Sequence, residues 1–185
     1  MAYIRHRPRI IRESVYEDLK KVLIDLDWID PTGGEDYMGM LGDDPIILTD
    51  YFPVEAVYQG EEVEINTLAI DQGTQSEPER TELGGDNREQ MHLFNLAFFA
   101  KNDGIALSLF SDLTDRYKGV NPAYGEYVNL YDYINEADPD EPFHDVSVLT
   151  FEVAKSPEQP APGRLLWFAQ LIVLDYLDFE ETGSN

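Results

Sequence analysis

The chain has 185 residues, 43% of them apolar, which suits one domain able to bury a core of its own. It has no cysteine, which excludes disulfides, thiolate nucleophiles and cysteine-ligated zinc or iron–sulfur centres. With 37 acids against 13 bases its formal charge is −24, a surface that repels phosphate and argues against sequence-specific nucleic-acid recognition.

The charge is unevenly placed. The first twelve residues hold Arg5, Arg7, Arg9 and Arg12 and no acid, so residues 13–185 carry nine bases, all 37 acids and a net −28. A basic arm on an acidic body is electrostatically self-complementary, and the expectation is that Arg5, Arg7 and Arg9 dock on an acidic surface of a neighbouring copy. The same arginines equally suit a solvated, disordered terminus. This start lacks the apolar core of a secretory signal, and no run reaches the roughly 20 apolar residues that span a bilayer. Synthesis in the cytoplasm and no membrane partner are the expectations.

Val15, Leu19, Val22, Leu23 and Leu26 recur on a 3.6-residue period and predict an amphipathic helix over residues 12–26, with Glu17, Asp18, Lys20, Lys21 and Asp25 mostly off the stripe. Asp30-Pro31-Thr32-Gly33-Gly34 breaks the chain, and residues 35–45 read as a loop. Residues 46–52 and 62–71 read as strands. The polar stretch 72–90 reads as a long loop, either an assembly loop or disordered. Met91 to Ala100 is apolar at nearly every position, as in a strand buried on both faces. A second amphipathic helix is predicted over residues 104–117, capped by Asp103. Strands are expected at 127–133, 146–154 and 164–177, joined by an acidic link (135–145) and a Pro-rich one (155–163). The pattern predicts an α+β fold, a mostly antiparallel or mixed sheet of five to six strands packed against two amphipathic helices. It divides into a basic arm (1–12), one domain (13–177) and an acidic, disordered tail (178–185).

Chemistry has little to work with here. No G-x-S-x-G occurs, and Pro31-Thr32-Gly33-Gly34 is followed by acids where a phosphate loop needs Lys, so it reads as a turn. Among 37 carboxylates, sequence proximity of any two carries almost no information. Asp138, Asp140 and Glu141 could chelate a cation, yet the EF-hand spacing and its central Gly are missing. His92, in the apolar strand, reads as a core or interface imidazole, and His144 as solvated. No catalytic residue, cofactor or dedicated metal site is expected. Tyr124, Tyr127, Tyr131 and Tyr133 cluster before an acidic stretch and suit either an interface or ordinary strand material.

Several stretches together resemble the tail terminator (tail-completion) proteins of long-tailed, siphovirus-type phages. They are Arg12-Glu13-Ser14-Val15-Tyr16-Glu17 with Trp28, Asp50-Tyr51-Phe52-Pro53, Glu64-Ile65-Asn66-Thr67-Leu68-Ala69-Ile70-Asp71, Phe94-Asn95-Leu96-Ala97-Phe98-Phe99-Ala100, and Ala106-Leu107-Ser108-Leu109-Phe110-Ser111-Asp112-Leu113. These are phrases and element order, without an invariant chemical motif. The resemblance implies a virion structural protein made in the host cytoplasm, not an enzyme. Its copies would form a ring, usually hexameric, that caps the tail tube and receives the head-completion (stopper) protein. DNA would pass through without specific binding. The other readings are a stopper or another neck subunit, an acidic DNA-mimicking inhibitor, a small acidic enzyme, and adaptation of the charge to high salt.

Overall fold

The computed structural model describes residues 2–29, 38–41, 44–50, 66–75, 79–80, 88–118, 128–133, 142–153, 158–161 and 164–177. Among the described residues two helices, α1 (Ala2–Asp25) and α2 (Asp103–Tyr117), pack on a mixed sheet. Its strands are β1 (Met38–Leu41), β2 (Asp44–Thr49), β3 (Asn66–Gln75), β4 (Glu79–Arg80), β5 (Arg88–Ala100), β6 (Val128–Tyr131), β7 (Pro142–Val153), β8 (Glu158–Ala161) and β9 (Arg164–Leu177). The order across the sheet is β1-β2-β3-β5-β9-β7-β6, with β4 on β5 and β8 on β9. Every described pairing is antiparallel except β2 with β3, which is parallel. The expected α+β architecture is therefore present, with more and longer strands than the periodicity suggested.

Side-chain alternation divides the sheet into two faces. Phe94, Leu96, Phe98 and Ala100 of β5, Ala169, Leu171 and Val173 of β9, and Leu68 and Ile70 of β3 share a core with both helices. The predicted stripe of α1 is buried there through Val15, Leu19, Val22 and Leu23 and extends back to Ile11, but its expected last member, Leu26, lies past the helix end and is exposed. Ile105, Ala106, Leu109, Phe110, Leu113 and Tyr117 are the buried side of α2. Phe110 is its hub, with ring centroids 6.0 Å from Phe98, 6.1 Å from Phe151 and 6.3 Å from Trp167. Tilted and edge-on aromatic pairs of this kind add about 0.5–1.5 kcal/mol each beyond their area burial.

The opposite face is only partly covered. Ala69, Ala97, Phe99 and Leu166 form a small second cluster there, while Met91 and Tyr176, at the other end of β5 and β9, are 45% and 43% exposed. The expectation that residues 91–100 are buried on both faces holds for the second half of β5 and fails at its start.

Four local expectations are corrected. The first helix begins at Ala2, with Pro8 inside it, so most of the expected arm is helical. Part of the loop placed at 35–45 is the β1–β2 hairpin. Within the expected loop 72–90, residues 72–75, 79–80 and 88–90 belong to β3, β4 and β5. The cap of α2 is Asn102, in extended backbone (φ −152°, ψ 162°), whose Oδ1 accepts from the Ile105 amide at 3.0 Å. Asp103 is the first helical residue, where its charge complements the helix N-terminus. The tail beyond Leu177 lies outside the described residues, as do Asp138, Asp140 and Glu141.

Candidate functional site

The basic N-terminal segment is tied to the sheet by a buried clamp. Arg7 donates from Nε to Asp175 Oδ1 and Oδ2, both at 3.0 Å, and from Nη2 to Oδ1 at 2.7 Å. The Asp175 side chain is 1% exposed and that of Arg7 11%. A carboxylate this deep needs a compensating cation, and the planar guanidinium fork supplies both charge and directed hydrogen bonds. His92 lies beside the pair, wholly buried, with Nε2 3.5 Å from Asp175 Oδ2. Neither ring nitrogen has a hydrogen-bond partner among the described residues. The register explains the cluster: Val173 faces His92 and Asp175 faces Gln90, so His92 and Asp175 are diagonal neighbours on the helix-facing side.

The expected site residues scatter. Arg7, expected to reach a neighbour, closes onto its own chain. Arg9 is exposed and pairs with Glu13 one turn on, Nε to Oε1 at 2.7 Å; that hydrogen bond and charge raise its guanidinium pKa. Arg5 falls in α1, but its side chain is outside the described residues, as are Tyr124 and Tyr127. Tyr131 ends β6, its ring 6.0 Å from that of Tyr133. Lys21 Nζ sits over both, 5.5 Å and 5.7 Å from the centroids, within the roughly 6 Å reach of a cation–π contact. These two tyrosines thus fasten α1 to the edge of the sheet. His92 is in the core as expected, whereas His144 is in strand β7 rather than in a loop, its side chain outside the described residues.

Buried polar contacts tie the α1 end of the chain to α2. Asp18 is 3% exposed and accepts from the Tyr117 hydroxyl at 2.7 Å. Burial raises the Asp18 carboxyl pKa, against the opposing pull of the Tyr117 hydrogen bond and of Arg116 and Lys21. Burial, then the Asp18 charge, holds the Tyr117 hydroxyl well above its ordinary value, so it remains a donor. Trp28 follows Asp27, whose left-handed backbone (φ 59°) turns the chain after α1, and its Nε1 donates to Asp112 Oδ2 at 2.8 Å. No period or motif signals Asp18 or Asp175. Each is one acid among 37, and only the packing distinguishes them.

A groove of about 250 Å³ is lined by Arg12, Glu13, Tyr16, Glu17, Asp50 and Ile70. Its charges are paired within the chain: Arg12 with Asp50 (3.7 Å), Glu13 with Arg9 and Glu17 with Lys20 (3.2 Å). Among the described residues no three His, Asp or Glu side chains converge as a metal-binding group, and no helix is long and apolar enough to cross a membrane. Chemically, these arrangements fasten elements together and present acids to solvent; Asp25, Asp27, Asp50, Asp71, Asp103, Asp115 and Glu152 are all exposed. Compared with known proteins, the chain matches no protein-family model and no curated protein.

Proposed function

We propose that this protein is a structural assembly subunit that works through its shape and negative surface in multiple copies, as a tail terminator of a long-tailed phage. Its copies form a ring, hexameric in the simplest case, that caps the tail tube and receives the head-completion protein. The observation that carries this reading is the charge: −24 overall, with a body that repels phosphate and a basic first segment. A ring whose lumen is acidic repels the DNA backbone over about one Debye length, ~8–10 Å at ordinary salt, so DNA passes without being held. The α+β order and the sequence resemblance support the same role. A stopper or another neck subunit would share this description, and the tube-end contact is what separates them.

Native mass and negative-stain images of the purified chain, alone and mixed with tube protein, test the proposal. Discrete rings that bind tube ends are expected. A monomer indifferent to tubes overturns it, and tight capture of a DNA-binding enzyme in competition with DNA would favour the DNA-mimic reading instead.

A further inference from the structure

We propose that the first turns of α1 are exchanged between copies, with Arg7 of one chain seated on Asp175 of a second copy in place of its own. The purpose of the exchange rests on the assembly reading above; the geometry stands apart from it.

From Ile11 onward α1 is locked into the core, with Ile11, Val15, Leu19 and Leu23 wholly buried. Ahead of that rod sits Pro8, which has no N–H to return to the carbonyl of Ile4 and whose ring crowds that carbonyl. Pro8 thus marks a joint lacking one backbone hydrogen bond in an otherwise unbroken helix, between the rod held by apolar packing and Arg7, which makes the clamp. Exchange of an identical element about such a joint is a low-cost route to assembly.

The seat has a strict requirement. Asp175 is 1% exposed, and the imidazole beside it offers no hydrogen bond within the described structure. Losing Arg7 would leave a buried carboxylate uncompensated, which is strongly unfavourable, so the seat must be refilled by a matching cation. The first segment of another copy carries that cation in the same sequence context. Charge brings the two together: the first twelve residues hold four arginines and no acid, and the body is net −28.

Two full-length variants test this. An Arg7→Glu chain and an Asp175→Arg chain each carry like charges in their own clamp, but mixed together both cross-copy pairs are complementary. Each alone should be monomeric by native mass, and the mixture should form assemblies containing both chains. A mixture that behaves as the two separate samples overturns the proposal. Should either variant fail to fold, Arg5→Cys chains in light and heavy isotopic forms are refolded together one to one, and a photo-crosslinker is attached to their single thiol, the chain having no cysteine of its own. Exchange predicts that about half of these links join light to heavy chains, and links confined to single chains refute it. Tube-capping rings with only within-chain links would sink the exchange and leave the terminator reading intact. Light–heavy links in a protein that ignores tube ends would do the reverse.

Discussion

Arg7 and Arg9 are two residues apart in a run of like character, yet their energetic roles differ. Replacing Arg7 by Ala strands Asp175 in the interior and should cost about 3–5 kcal/mol, read as a fall in the urea midpoint. Arg9→Ala removes an exposed pair and should leave that midpoint unchanged within error. Asp18 gives a second residue-scale prediction, in pH. Its folded-state pKa is raised above the unfolded value, so its contribution to stability is fully present below the ordinary carboxyl range and is lost as pH rises through the raised value. Asp18→Asn keeps an acceptor for the Tyr117 hydroxyl and removes that loss. The variant should match the parent in acid and exceed it at neutral pH, in urea titrations of both proteins across the range.

At the scale of elements, apolar periodicity was the reliable signal and polar punctuation the misleading one. The buried stripe of α1 and the buried side of α2 were legible because a 3.6-residue period survives any tertiary context. The β1–β2 hairpin was not, because Gly39, Gly42 and the surrounding acids read as a loop. The extension of β3 to Gln75, past a register shift after Gln72, is equally illegible: polar residues join a strand when a neighbour supplies hydrogen-bond partners, and residues 72 and 75 face β5. The cap of α2 turned on one position. Asn102 rather than Asp103 accepts from the Ile105 amide, so Asn102→Ala should lower stability by about 1 kcal/mol, whereas Asn102→Asp should retain it. Paired thermal melts distinguish the two.

For the whole molecule the dominant fact is self-repulsion. A net −24 spread over an acidic shell opposes the compact state and is screened by salt. Melting temperature should therefore rise between low salt and about 0.5 M sodium chloride, as the Debye length shortens. A melting curve insensitive to salt would show that the ion pairs within the chain, Arg7–Asp175 foremost, already balance the field. Unfolding outright at low salt would point to adaptation to a saline habitat, compatible with either functional reading. The same repulsion acts between copies, so an assembly of this protein needs apolar contact or a cationic element crossing from copy to copy.

Composition and local pattern by themselves determined the absence of cysteine chemistry, the acidic character with its basic start, and which side of each helix is apolar. All are properties of neighbouring residues, independent of how the chain folds back. Tertiary structure alone decided the parallel β2–β3 pair, the burial of one tyrosine–carboxyl bond between the helices, and the meeting of Arg7 with Asp175 across 168 positions. Those depend on which strands lie side by side, and sheet order is set by the packing of the complete core, which no local window of sequence contains.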